Sequence, residues 1–372
     1  MPTDTTSVRT VVVGGGQSGL VMGYYLRRAG EDFRILEADA RVGDSWRRRY
    51  DSLRLFSPPR YASLPGWRIR PAGSFPTRDE MADYLEEYAG RFRLPVSTGT
   101  MVRRVCRAAG GGFLVETSDG TYEAERVVVT TGMHRVPRVP AIASRLAPDI
   151  RQLTSIAYRN ADQFAPGGVL VVGAGNSGTD IALDAAAAGH PTWIAGRHPG
   201  QVPFDIEAPI ARAALPLVMF AFRHVLTLRT PAGRRRRAAQ QGHGVNLVRN
   251  KLADLEAAGI TQIGRIETVT DGRPVSSDGF RPDVSTVVWS TGSDPDLSFL
   301  DLPLRYSDDG LPLHDRGVGQ EPGLYFLGLA FQFALASETI QGLARDARWV
   351  VRQMRRPAAP STATSPVERA AA

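Results

Sequence analysis

The chain has 372 residues, long enough for two domains that each bury a core of their own. Its net charge of +7 rests almost wholly on arginine, Lys251 being the one lysine, and the run Arg234 to Arg237 reads as a solvated helix face, so nucleic acid is not an expected partner. Cys106 is the only cysteine, which excludes disulfides within the chain and the C-x-x-C relay of a flavoprotein disulfide reductase.

The N-terminal MPTDTTSVRT lacks the apolar stretch of a signal peptide, and a cytoplasmic location is expected. An apolar run then enters VVVGGGQSGL, where Gly14, Gly16 and Gly19 form a G-x-G-x-x-G between a strand and a helix that closes at Gly30. In such a motif the first glycine makes a tight turn, the second admits a pyrophosphate to the backbone and the third lets helix and strand pack. The next strand, FRIL, ends at Glu37, about where a carboxylate accepts the ribose hydroxyls of a dinucleotide. That acid excludes a 2′-phosphate and suits FAD. Further on, VRRVCRAAGGGFLVETSDGTYEAERVVVTTG predicts alternating strands around the Ser118-Asp119-Gly120 turn, with Cys106 in the core.

A second fingerprint follows in VLVVGAGNSG, with Gly173, Gly175 and Gly178, and its helix closes at Gly189. Here the strand TWIA ends in Gly196-Arg197, placing a guanidinium where the acid would stand, so NADPH is expected rather than NADH. Two dinucleotides on one chain imply electron transfer between them. The apolar stretch 209–228 is broken by Arg212, Pro216, Arg223 and His224 and falls short of the roughly 20 residues of a membrane span; it reads as helices capping a substrate entrance, or as core. STVVWSTGSDPD ends another strand in Thr-Gly, and GLYFLGLAFQFALASETIQGLARDARWVV predicts a strand, a loop and a long helix. The expected fold is α/β, with two Rossmann-like dinucleotide-binding domains. An FAD domain (residues 1–162 and 295–355) is interrupted by an inserted NADPH domain (163–294) carrying a helical cap near 205–245, and a disordered tail follows over 356–372.

These motifs, with RVGDSWRRRYDSLRLFSPPRYASLPG after the first unit and the Thr-Gly strand ends at Thr131-Gly132 and Thr291-Gly292, resemble the flavin-containing monooxygenases. The resemblance runs over nearly the whole chain and is strongest to compact bacterial flavoproteins akin to plant indole-pyruvate monooxygenases. It implies FAD cradled by Gly14, Gly16, Gln17, Ser18 and Gly19, with Glu37 on the adenosine ribose and Val102 meeting the adenine through its backbone. Trp46, Arg47 and Leu55 would line the flavin, Gly132 would close the pocket, and the loop with Gln332, Leu335 and Ala336 would touch the ring. Gly173, Gly175, Asn176, Ser177 and Gly178 would bind the NADPH pyrophosphate and Arg197 its 2′-phosphate.

The chain departs from that family in two places. In the pattern F-x-G-x-x-x-H-x-x-x-(Y/F), Pro148, Ile150 and Thr154 replace the first three letters and only Tyr158 fits. The polar side chain that relatives place beside the reactive flavin edge falls on Phe56, or on Ser57 if the alignment slips by one. His134, beside Gly132, reads as a proton donor or a loop residue. No metal-ligand cluster and no paired carboxylates stand out. The function so implied is an FAD- and NADPH-dependent monooxygenase, whose reduced flavin reacts with molecular oxygen to a C4a-hydroperoxide that oxygenates a nitrogen, sulfur or carbonyl centre of a small molecule. An NADPH-dependent reductase passing electrons to a quinone or redox protein is the alternative, a non-catalytic flavin sensor a third, and a homodimer is left open.

Overall fold

The computed structural model describes residues 5–202, 209–240 and 246–356. The expected tail from 357 onward, and the parts of the expected cap at 203–208 and 241–245, lie outside the described residues.

The first unit is built on β1 (Thr5–Val13), α1 (Gln17–Arg28) and β2 (Phe33–Leu36). β1 is exposed at its start and buried throughout its last four residues, as a strand must be once it enters the middle of a parallel sheet covered on both faces. A helix not anticipated from the sequence, α2 (Arg78–Arg91), follows; Thr77 accepts from the Glu80 N–H while Glu80 accepts from the Thr77 N–H, a reciprocal cap that satisfies two orphan donors. β3 (Val96–Ser97), β4 (Val102–Arg107), β5 (Phe113–Thr117) and β6 (Thr121–Val129) complete this stretch, and β4 to β6 form the antiparallel meander expected around Gly120.

The second unit contains β7 (Arg151–Thr154), β8 (Val169–Val172), α3 (Asn176–Ala187), β9 (Thr192–Ala195), α4 (Pro209–Phe220), α5 (Pro231–Gln240), β10 (Thr261–Ile263) and β11 (Thr286–Trp289). These strands make an all-parallel sheet in the order β10-β9-β8-β11-β7. Its edge strand β7 lies inside the expected 1–162 unit but pairs with β11, so the sheet of the second unit begins earlier than the sequence suggested. The reason is that Arg151 and Gln152 are exposed on an edge, which leaves no apolar alternation to read.

The chain then returns to the first sheet through β12 (His314–Asp315), β13 (Val318–Gly319) and β14 (Leu324–Phe326), and closes with α6 (Ile340–Met354). That sheet has nine strands in the order β12-β13-β14-β6-β1-β2-β3, with β5 and β4 branching from β6. α1 and α6 pack together on one face, where Leu20, Met22 and Leu26 meet Ala347, Val350 and Val351 in one buried cluster. The two crossings between units are adjacent: 136–137 pairs antiparallel with 293–294, and Arg138 forms an ion pair with Asp294. Among the described residues no helix is long and apolar enough to cross a membrane.

Candidate functional site

The carboxyl ends of the parallel strands of both sheets open into one cavity of about 2060 Å³, roughly twice the upper end of the volumes that hold a single drug-sized ligand. Gly14, Gly16, Gln17 and Ser18 of the first fingerprint and Gly173, Gly175, Asn176 and Ser177 of the second all line it. The two fingerprints are built alike. Gly14 and Gly173 have φ of +102° and +111°, and a Cβ on either would strike the backbone of the Thr-Gly strand end of its own unit, at Thr130 and Ser290. The third glycines, Gly19 and Gly178, lie outside the cavity wall; a Cβ there would come within 1.9 Å of the Gly14 or Gly173 carbonyl oxygen. They hold helix against turn, the packing role expected of a third glycine, and neither is part of the cavity wall. The middle glycines differ, since a Cβ on Gly16 or Gly175 would meet no protein atom within 4 Å. Space at that point, beside a helix N-terminus, is what a pyrophosphate requires.

Glu37 lines the cavity at the end of β2. Its carboxylate accepts from the Gly15 N–H at 2.6 Å and the Asp39 N–H at 2.9 Å, and burial raises its pKa against the pull of those two bonds. A Cβ on Gly15 would lie 2.9 Å from the Glu37 Cβ, so the residue between the fingerprint glycines is fixed by the acid beside it. Trp46 donates its indole N–H to Gln17 at 3.2 Å, and both face the cavity with Leu55, Val102 and Gly132.

Arg47 points elsewhere. Its guanidinium pairs with Asp44 at 2.9 Å, Asp83 at 2.7 Å and Glu86 at 2.9 Å, tying the 44–47 turn to α2, because three carboxylates on that side outbid the cavity for one cation. Arg48 and Arg49 line the cavity in its place, and Arg48 pairs with Asp39 at 2.5 Å. Gln332, Leu335 and Ala336 are also absent from the wall. Gln332 is fully buried and accepts from the Gly328 and Leu329 N–H groups, which shapes the loop whose Gly328, Ala330 and Phe331 do line the cavity. Leu335 instead joins the loop to the cap through its N–H to the Leu226 carbonyl at 2.9 Å, and Ala336 is buried behind it.

Phe56, 39% exposed, and Ser57 both line the cavity. His134, exposed on that wall, has Nδ1 2.9 Å from the Ser293 hydroxyl; partial desolvation within the cavity and the Arg49 guanidinium hold its pKa below the usual histidine value. Arg197 is exposed on the second unit's wall, and Arg265 lines the same cavity. Thr154 caps a turn by accepting from the Ala157 N–H, while Tyr158 is buried and donates to Asp184 at 3.1 Å.

One network was not foreseen. Tyr50, from the first unit, donates at 2.8 Å to Asp180 on α3, whose other oxygen accepts from Arg249 at 2.5 Å and from Asn250. Burial raises the Asp180 pKa, opposed by Arg249 and by these hydrogen bonds, and burial beside Asp180 raises that of Tyr50. Ser52 repeats the contact one turn along α3, donating to Asp184 at 2.6 Å. The i, i+4 spacing of Asp180 and Asp184 puts both acids on one helix face. A search for paired carboxylates at that spacing would have flagged them. Among the described residues no group of acidic, histidine or cysteine side chains could hold a metal.

The family pattern for pyridine nucleotide-disulphide oxidoreductases matches residues 11–207. An uncharacterized CzcO-like oxidoreductase of Geobacillus kaustophilus is 34% identical over 352 residues, 92% of this chain and 97% of that protein. The probable indole-3-pyruvate monooxygenase YUCCA4 of Arabidopsis thaliana is 33% identical over 191 residues, 49% of this chain and 45% of that protein. Among solved structures, a flavin-containing monooxygenase from Stenotrophomonas maltophilia superposes with a TM-score of 0.77 at 29% identity, covering 94% of this chain and 98% of that one.

Proposed function

The chain belongs to the pyridine nucleotide-disulphide oxidoreductase family and is a flavin-dependent oxidoreductase with the two-Rossmann-domain architecture of the flavoprotein monooxygenases; from that premise we propose that it is an FAD- and NADPH-dependent monooxygenase acting on a small molecule. The observation that carries the reading is the one cavity walled by both fingerprints, in which two bound dinucleotides would lie within reach of each other. Glu37 favours FAD in the first unit, since its half-buried carboxylate would repel a 2′-phosphate and can accept from ribose hydroxyls. Arg197 favours NADPH in the second through a charge-assisted bond to the 2′-phosphate. The first unit would comprise the described residues up to the crossing at 136–137 and those after 293–294.

When bound, the flavin supplies hydride acceptance from NADPH and activation of oxygen; the protein's part is binding and orientation. Gly16 and Gly175 open the backbone to the two pyrophosphates, Trp46 and Gln17 fix the wall beside the first, and the Tyr50–Asp180 contact holds the second unit's helix against the first. His134, largely neutral at pH 7, can accept or return a proton at Nε2 while Nδ1 engages Ser293. For a thioether substrate the balance is NADPH, a proton, oxygen and sulfide giving NADP⁺, water and sulfoxide. The family's disulphide chemistry does not transfer, because a chain with one cysteine has no dithiol of its own.

The apolar Phe56 at the cavity wall favours a second reading, a reductase that passes electrons to a quinone. Turnover of an aryl methyl thioether under ¹⁸O₂ separates them. A monooxygenase places one labelled atom in the sulfoxide per NADPH oxidised. A reductase leaves the thioether unchanged and reduces added quinone.

A further inference from the structure

Tyr50 stands in the chain of the first unit but in the core of the second. Four residues before it, Trp46 donates to Gln17 of the first fingerprint, and the Arg49 N–H donates to the Trp46 carbonyl at 2.8 Å, which keeps the intervening turn tight. Tyr50 itself is 4% exposed and packs with Tyr158, Val171 and Ile181 in a buried cluster whose other buried members all come from the second unit. Its hydroxyl donates to Asp180, two residues beyond the last glycine of the second fingerprint. A short path, from Gln17 to Trp46 and from Tyr50 to Asp180, therefore joins the two turns where the pyrophosphates are expected.

Asp180 is the junction of three segments. It lies on α3, accepts from Tyr50 of the first unit, and accepts from Arg249 at 2.5 Å and from Asn250 on the stretch that returns from the cap. Asn176, at the start of the same helix, donates to the Asn246 carbonyl and accepts from the Val248 N–H, so that stretch is fastened along the first turns of α3. Tyr50, Asp180, Arg249 and Asn250 all line the large cavity. The neighbouring residues on the seam are exposed: the Asp51 N–H donates to the Arg159 carbonyl at 2.7 Å, Asn160 donates to the Asp51 carboxylate, and Ser52 donates to Asp184. A hydrogen bond to a desolvated charge is about twice as strong as a neutral one, whereas exposed bonds compete with water, so the Tyr50 contact dominates the seam.

We infer that Tyr50 and Asp180 are positioning residues for hydride transfer: the phenol–carboxylate strut sets the distance between the two bound dinucleotides. Neither residue belongs to a fingerprint turn, so losing the strut misaligns the dinucleotides without loosening either. A displacement of about 1 Å between reacting groups costs up to about a hundredfold in rate while each ligand keeps its own site. The hydride role rests on the flavin reading of the large cavity; the strut between the units does not.

Anaerobic stopped-flow mixing of the FAD-loaded protein with a series of NADPH concentrations gives the limiting rate of flavin reduction and the NADPH Kd separately. Tyr50→Phe deletes the hydroxyl and keeps the ring. Its flavin-to-protein ratio should match wild type, its NADPH Kd should stay within about twofold, and its limiting rate should fall about tenfold, the bonds of Asp51 and Ser52 limiting the displacement. Reduction by dithionite, which needs no alignment, should be unchanged. Ser52→Ala removes an exposed contact of the same seam and should leave both constants within about twofold of wild type. In hydrogen–deuterium exchange of the FAD-loaded protein, the amides of 49–52 and 246–250 should exchange about tenfold faster in Tyr50→Phe. An unchanged limiting rate, or a raised Kd at an unchanged rate, would overturn the positioning role, and so would a slower rate that merely follows lost flavin. If NADPH fails to reduce the wild-type flavin, the flavin reading falls and the hydride role with it; faster exchange in Tyr50→Phe would still establish the strut, and equal exchange would overturn it as well.

Discussion

Replacing the second and third glycines of the first fingerprint should have opposite consequences, and the structure gives the scale of each. In Gly19→Ala the new Cβ would sit 1.9 Å from the Gly14 carbonyl oxygen, where real contacts essentially never fall below 3.0 Å, so α1 must retreat from the turn by about 1 Å. Alanine inside a helix gains about 1 kcal/mol over glycine, but overpacking against immovable backbone costs about 3 kcal/mol or more. A net loss of about 2 kcal/mol should lower the midpoint of thermal unfolding by roughly 2–3 °C even in flavin-free protein. Gly16→Ala meets no protein atom within 4 Å, so the apoprotein should unfold within about 1 °C of wild type, the remaining loss being that of alanine at a helix N-cap. Its FAD affinity should nevertheless fall at least about tenfold, because the methyl occupies the approach of the pyrophosphate. Differential scanning fluorimetry of apoprotein, paired with the flavin-to-protein absorbance ratio after reconstitution, reads both quantities. An unperturbed Gly19→Ala, or a Gly16→Ala that binds FAD normally, would refute the division of labour between the two glycines.

Arg197→Ala should raise the KM for NADPH roughly tenfold to a hundredfold and leave that for NADH nearly unchanged, and equal effects on both would move the 2′-phosphate contact to another residue such as Arg265. Arg249→Met strands a buried carboxylate that keeps only Tyr50 and Asn250, and should cost about 3 kcal/mol in urea titrations at pH 8, the cost shrinking as pH falls because burial raises the Asp180 pKa. Burial, reinforced by Arg237, lowers the His314 pKa to about 4. Between pH 6.5 and about 4 the unfolded chain therefore binds the extra proton, and stability is lost as pH falls through that window by up to about 3 kcal/mol; His314→Gln should flatten the slope. Phe56→Asn should improve the coupling of NADPH oxidation to oxygenation, measured as less hydrogen peroxide released per NADPH; if Ser57→Ala alone changes the coupling, the functional position is one residue further on.

The fingerprints, the strands leading into them and the acid and arginine at the following strand ends were legible because each depends on backbone geometry that few residues satisfy. Gly14 and Gly173 sit where only glycine avoids a neighbouring strand end, and such positions are readable from a single chain. What escaped was set by tertiary contacts and loop geometry that residue spacing does not encode. Arg47 could not be separated from Arg48 and Arg49 in a run of three arginines, because its direction is decided by Asp83 and Glu86 on a distant helix. Gln332 lies one residue from the cavity wall and acts on the loop backbone instead, a distinction that only its bonds to Gly328 and Leu329 reveal. Strand β7 was assigned to the wrong side of the boundary because an exposed edge carries no apolar pattern, and α2 went unread although its T-x-x-E cap was present in the sequence.

Two dinucleotides that meet in one cavity must exchange electrons, and anaerobic mixing of the FAD-loaded protein with NADPH reads that exchange. Rapid bleaching of the flavin is expected in the wild-type protein. In Gly175→Val the flavin should remain bound and be bleached by dithionite, but not by NADPH. Bleaching by NADPH that is indifferent to Gly175, or a Gly175→Val protein that loses its flavin instead, would contradict it.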